Sequence, residues 1–497
     1  MAQLSSRQGE QPRLGEQNLT VIHAVGQSLA IGPIFSAGII SGLVASAAGY
    51  STPLSVLLGS IGALALGYVI ALYAQRFAGA GAMYEYLARA TAPAIGIFGA
   101  GLYFLGSLFL GAGGIYIALG YVSNNFFVNH LSWNPPWWIG SFIALAIVFA
   151  LNHFGVRLAI RGILVLAFLS FIPFVVTSIV IIAKGGFSGN DLTTFGTHYS
   201  SWNAVFNGVL FAVTLFIGFE AAASIAEECR EPRRAIPIAV LTAIALCAVF
   251  YILVNYAATI GYGQKGIGSW AASTSPIADL GNKYVGKWMG FLIDLAIIFD
   301  MMSLSLAIMV STARGFFALG RDGFLPRWTT ALSPAGTPLG GNVIVAAWSL
   351  VLIVWAIIQS WGKSSPLPSE VQTFFVTTAV GSYLVELIYI FLALGALWIL
   401  WSSGRRRLQD FWAYLVVLAG LATPILAFKG SLSPFPVYPN NLGVWIAVAA
   451  LVIAALWTIV IMMTRPERVS QAALYAVGED AALPIRGMEL APDAPLE

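Results

Sequence analysis

Four acidic side chains stand inside long apolar runs, Glu220, Asp294, Asp300 and Glu386, and no lysine or arginine lies comparably deep. A carboxylate in such surroundings must be neutralised by a proton, a bound ion or a cationic partner, so each is a candidate for binding or proton chemistry. Asp300 follows Lys287 by 13 residues and precedes Arg314 by 14. At about 1.5 Å per helical residue, each lies about 20 Å away, so Asp300 falls near the middle of its run. Three uses are open to it: holding a cation, carrying a proton, or contacting an amine. Asp294 is nearer one end, where it can simply face water. The plain alternative for Glu220 is a neutral acid hydrogen-bonding helix ends.

Two glycine-bearing stretches offer complementary chemistry. Ser28-Leu-Ala-Ile-Gly32 continues into Pro33 and Ser36, and Thr214-Leu-Phe-Ile-Gly218 continues into Glu220 and Ser224. If a helix breaks at each, carbonyls are freed to accept from an ammonium, at Ala30, Ile31 and Gly32 and at Phe216, Ile217, Gly218 and Phe219. The N–H groups from Ile34, Phe35 and Ser36 to Gly38, at a positive dipole end, would favour a carboxylate. Pro33 supports a break because it lacks an N–H and frees a carbonyl. Gly38 and Gly42, four apart, read more plainly as a close helix contact. Phe35, Phe216 and Phe219 flank the breaks and are placed to close over a small molecule.

Nothing comparable points to catalysis, a metal or a cofactor. His23, His130, His153 and His198 are scattered, and Cys229 and Cys247 lie on different elements. Gly281-Asn-Lys-Tyr-Val-Gly-Lys287 begins like a phosphate-binding loop, but Trp288 replaces the required Ser or Thr and no βαβ unit surrounds it. The expectation is a chain that is not an enzyme and has neither cofactor nor metal.

The elements that must position these groups follow from composition. Of 497 residues, 59% are hydrophobic and 9% charged, with mean hydropathy +0.84. Soluble globular proteins carry about 25% charged residues, so most of this surface must face lipid. The apolar runs are continuous rather than alternating, which favours membrane-spanning helices over a barrel. The net charge of +3 suggests no nucleic-acid partner. Twelve spans are expected, at 21–43, 54–74, 93–122, 136–151, 159–183, 203–226, 235–262, 286–319, 341–360, 370–398, 411–428 and 441–463. No cleaved signal is visible in the polar first 20 residues. With both termini cytoplasmic, all 18 arginines fall inside and all 6 lysines outside, a strong positive-inside bias. The similarity of 28–32 to 214–218 suggests two five-helix halves, inverted by the odd offset, with their broken helices at mid-depth.

The loops carry a resemblance. Gly79-Ala-Gly-Ala-Met-Tyr-Glu-Tyr-Leu-Ala-Arg-Ala90, then Phe216-Ile-Gly-Phe-Glu220 with Ala226-Glu-Glu228 and Glu231-Pro-Arg-Arg-Ala-Ile-Pro237, and Ala313-Arg-Gly-Phe-Phe-Ala-Leu-Gly-Arg-Asp-Gly-Phe-Leu-Pro326 with Thr337-Pro338, form one series. Along its first ten spans the chain resembles the amino acid–polyamine–organocation permease superfamily. The resemblance implies an all-α integral membrane fold with about 12 transmembrane helices, a LeuT-like five-plus-five inverted repeat and two extra C-terminal helices. The divisions would be a cytoplasmic tail 1–20, repeats 21–200 and 201–400, added helices 401–466, and a cytoplasmic tail 467–497. The implied function is a secondary active permease moving amino acids across the cytoplasmic membrane by alternating access. A polyamine or other organocation carrier or exchanger is the alternative, and a sensor or channel on the same scaffold is a further one. A small amino acid or amine, with a co-transported proton or exchanged substrate, would be the partner. In sodium-coupled relatives of the fold, hydroxyls of span 8 hold the ion, which would fall to Ser303 and Ser305. Glu220 and Asp300 are the other candidates for coupling. Two departures stand out. Gly32-Pro-Ile-Phe35 replaces the family's Gly-x-Gly-Ile-Phe-like turn, and Ser170 occupies the position where some proton-coupled relatives carry lysine.

Overall fold

The computed structural model describes residues 14, 18–30, 32–365, 367–402 and 411–470. Helices dominate, and the described residues form only two isolated β-bridges, Leu19 with Cys229 and Leu332 with Pro338. Ten helical stretches among the described residues are long and apolar enough to cross a membrane. Large apolar side chains on their outer faces are bare, among them Phe168, Val249, Leu418 and Ile453. Such a belt is stable only against lipid or another apolar partner. The protein is therefore a multi-pass membrane protein.

The first stretch, Val21–Ala74, holds the two expected spans 21–43 and 54–74. It comprises α1 (Val21–Leu29), a helix over residues 33–48 with a π turn at Ser36–Ile40 (α2), and α3 (Thr52–Ala74), with the break between α1 and α2. A short helix α4 (Met83–Ala90) leads into α5 (Pro93–Leu131). The expected fourth span is α6 (Trp137–His153), only 17 residues long, at the short limit for a crossing. Next come α7 (Val156–Ala183) and α8 (Trp202–Thr214). The expected single span 203–226 is not one α-helix: α8 stops at Thr214 and residues Phe219–Glu228 continue as a 3-10 run. The bundle continues with α9 (Pro232–Tyr262), α10 (Lys287–Arg321), α11 (Leu339–Ile358), α12 (Ser369–Ser402), α13 (Phe411–Leu432) and α14 (Asn441–Thr464).

The broken helices are held in the centre by long-range packing. Helix α1 lies against α9 and the 3-10 run, α2 begins against α10, and α10 packs along α7. Helices α13 and α14 pack on α12, and α13 also packs along α3 and α8.

Candidate functional site

The first break follows from two residues. Gly32 has φ +72°, a left-handed conformation that a Cβ would strain, and Pro33 opens α2 with no N–H to give. A helix N-terminus leaves its first N–H groups without partners in its own helix. Here Ile34 N and Phe35 N donate to Oδ2 of Asp300 at 3.0 and 2.8 Å. Asp300, on α10, is 1% exposed, and its Oδ1 is buried without a hydrogen-bond partner. The donors that the sequence suggested for a ligand carboxylate are thus engaged by the chain's own carboxylate.

The second break turns at Gly218, with φ +105°. Its freed carbonyls are partly taken up within the protein. Tyr251 donates to Leu215 O at 2.8 Å, and Ser28 donates to Phe219 O at 2.6 Å, which ties the two breaks together. Glu220 opens the 3-10 run, 3% exposed, with both oxygens engaged: Tyr103 donates to Oε1 at 3.2 Å and Tyr389 to Oε2 at 2.7 Å. The ring of Phe219 stacks on Tyr389, and Phe216 meets Tyr251 edge-on.

Two cavities meet this centre. A small one of about 40 Å³ is lined by Ala30, Tyr103, Ile217, Gly218, Glu220 and Leu304. A larger one of about 270 Å³ lies between α2, α5, α8, α12 and α13, and includes Phe35, Ser36, Ile217 and Glu386 in its wall.

The arginine-rich loops gather at one end and close it with buried charge. Arg314, fully buried, donates through Nε and Nη2 to both oxygens of Glu228 at 2.6 and 3.1 Å. Arg321 grips both oxygens of Glu227 at 3.0 and 2.7 Å and lies 3.7 Å from Glu85. Ala80 N donates to Glu227, and Tyr84 donates to Asp322. Burial, reinforced by the charge of Glu227, pushes the Glu85 carboxyl up to about 8. Burial and then Glu228 push the Cys229 thiol up to about 12. The glycine-rich loop packs closely on its neighbour: a Cβ on Gly79 would run into the carboxylate of Glu85.

The sequence-suggested residues therefore separate. Ala30, Gly32, Ile34, Phe35, Ser36, Phe216, Ile217, Gly218, Phe219, Glu220 and Asp300 gather around the two breaks, while Ile31 lies outside the described residues. Ser303 donates to Ile163 O and Ser305 to Met301 O of its own helix. Ser170 likewise donates to its own helix at Leu166 O. Asp294 does not simply face water: it lies 2.8 Å from His130 Nε2 and accepts from Ser275. Tyr103, Tyr251 and Tyr389 were missed. In a chain with 18 tyrosines, nothing local marks the three that reach across the bundle.

A family model described as amino acid permease matches residues 26–468. The chain is 27% identical over 133 residues to the branched-chain amino acid permease BcaP of Bacillus subtilis (strain 168), covering 26% of this chain and 28% of that protein. It is 24% identical over 208 residues to the vacuolar cationic amino acid transporter 4 of Arabidopsis thaliana, covering 42% and 33%. Over 336 residues it is 25% identical to the cadaverine/lysine antiporter of Escherichia coli (strain K12), covering 65% and 72%. The first two matches span about a third or less of those relatives' length.

Proposed function

The chain belongs to the amino acid permease family, and from that premise we propose that it is a secondary active transporter of amino acids or related amines, working by alternating access. The observation that carries this is the pair of breaks joined by Ser28 and Phe219, each beside a buried carboxylate. Broken helices of this kind put unpaired backbone groups at the depth where a polar cargo has lost its water.

In this reading the chain crosses the membrane twelve times, as two inverted five-helix repeats and two added helices. The arginine end faces the cytoplasm, as positive-inside bias favours. Ala30, Gly32, Ile217 and Gly218 border the path of the cargo, and Glu220 braces the second break. Asp300 holds the first break through Ile34 and Phe35, and its unpartnered Oδ1 is the place for a coupling proton.

The test is flux into proteoliposomes. Uptake of radiolabelled amino acids and amines should saturate, and preloading with unlabelled substrate should accelerate it. Asp300→Asn should lose concentrative, pH-driven uptake yet keep exchange, because a neutral side chain cannot cycle a proton. Binding without any flux across all substrates would instead mark a sensor.

A further inference from the structure

The mouth at the lysine end has a wall with its own fastening. A second cavity, of about 220 Å³, shares Phe35, Ile40, Leu43, Phe374 and Phe375 with the 270 Å³ one and reaches the loop between α9 and α10. Ala271, Ala272, Ser273 and Thr274 of that loop form part of its wall. This stretch joins two short helices, Ile267–Ala272 and Pro276–Tyr284. The first of them packs against residues 41–48 of α2. It is anchored by Trp270, which is fully buried and stacks on Tyr262.

Ser275, the next residue, donates to Oδ1 of Asp294 on α10, and Oδ2 of Asp294 lies 2.8 Å from Nε2 of His130 on α5. The side chains of His130 and Asp294 are 17% and 14% exposed, partly shielded from water yet open to protons. Phe126 and Phe291 flank the imidazole ring. Among the described residues, Asp294 is the one charged group within ion-pair distance of it. Of the other titratable groups on the elements around it, Lys287 is exposed at the start of α10 and Asp279 accepts from Ser273. Helix α6 carries only His153, at its opposite end, and Glu370 stands in the first turn of α12. Neutral, His130 shares a hydrogen bond with Asp294. Protonated, it adds a Coulomb attraction that partial burial protects from screening. Histidine ordinarily changes charge between pH 5 and 8.

Building on the alternating-access reading, we propose that His130, Asp294 and Ser275 form a proton-sensitive pin on the wall of the mouth. Protonation of His130 tightens the pin and favours the arrangement seen here, with the mouth cavities present and the arginine end locked. Acid at the lysine face therefore holds the protein ready to load from that side, and alkaline conditions release it.

Two thiols read the balance between the ends: Leu43→Cys in the mouth wall and Cys229 beside the arginine-end ion pairs, in a Cys247→Ala background. The ratio of their alkylation rates by N-ethylmaleimide follows that balance whichever arrangement predominates. Dividing it by the same ratio in His130→Gln cancels the titration of the thiols and of groups elsewhere in the protein. This quotient, measured in proteoliposomes, should fall about fivefold from about pH 5 to pH 8. Asp294→Asn leaves no charge for His130 to meet, and Ser275→Ala cuts the pin from the wall. Each, introduced on both sides of the comparison, should flatten the quotient. All variants are compared at matched monodispersity and melting temperature. A flat quotient in the otherwise unchanged protein, or one that falls as steeply with Asp294→Asn or Ser275→Ala, would overturn the proposal. Substrate exchange separates this from the broader reading. If exchange moves the two labelling rates in opposite directions while the quotient stays flat, the pin is wrong and alternating access stands. If exchange moves neither rate, alternating access fails and the pin falls with it.

Discussion

The two ends of the bundle solve the problem of closure with different chemistry. At the arginine end, Arg314 with Glu228 and Arg321 with Glu227 lock the last residues of the 3-10 run to the end of α10 through bidentate pairs. At the lysine end the links are single and peripheral. Lys184 donates to Tyr284 O, Lys283 reaches Gly261 O at 3.3 Å, and His130 meets Asp294. Between α2, α8 and α12 on that side lies the 270 Å³ cavity instead of an ion-pair lock. A bidentate buried pair holds one geometry firmly, yet it is undone when its charges regain water. Apolar contacts around a cavity can close by degrees. On the transporter reading proposed above, the arginine end would act as a latch and the lysine end as an adaptable mouth.

The largest effect should come from breaking the latch. Arg314→Ala leaves Glu228 buried and unpaired, which costs about 3–5 kcal/mol in the closed arrangement. Cys229, fully buried beside Glu228, reports the outcome. Its alkylation by N-ethylmaleimide should accelerate by well over about tenfold, while Cys247, buried within α9, stays unlabelled. Labelling of both cysteines would signal unfolding rather than an opened latch.

A smaller, pH-dependent effect should arise at Glu85. Its carboxyl titrates near 8 in the closed latch, where it faces Glu227, Arg321 and Asp322. Once opened to water it reverts to the ordinary value near 4.5. The opened form then binds fewer protons across that window, so the latch weakens as pH rises from about 4.5 to 8 and is tightest below it. The ratio of Cys229 labelling in wild type to that in Glu85→Gln cancels the thiol's own titration. It should be near one below about pH 4 and climb towards pH 8. A flat ratio would remove Glu85 from the latch.

The smallest effect is expected at the other end. Lys283 is exposed and lies over the rings of Phe187 and Tyr284. Lys283→Ala should change Cys229 labelling by less than about twofold, as exposed substitutions generally do. A change as large as that of Arg314→Ala would erase the contrast between the ends.

Part of this contrast was legible in the sequence, because charge inside an apolar run is conspicuous. Asp300 at mid-depth stands out on composition alone, whereas Glu227, Glu228 and Arg314 read only as charges at the ends of spans. Their partners do not stand out. The carboxylate of Asp300 meets backbone N–H groups 266 and 265 positions away, and backbone donors carry no residue signature. The Gly32-Pro33 break was legible for the same reason that Pro and Gly punctuate any helix. The second break was legible at Gly218 too, but the end of α8 four residues earlier, at Thr214, was not, because Leu215, Phe216 and Ile217 continue the apolar run. Glu386 was visible as an acid, but only tertiary structure shows that it faces a cavity without a partner.

The central claim is that the latch and the mouth open in alternation. In a Cys247→Ala background, Cys229 reports the arginine end and Leu43→Cys, in the wall of the 270 Å³ cavity, reports the lysine end. Labelling of each is measured in proteoliposomes at rest and during exchange of a transported substrate. Alternation predicts opposite changes, with Cys229 becoming more reactive as Leu43→Cys becomes less so. A parallel rise at both positions would describe a continuous pore, and flux with neither position changing would contradict the account.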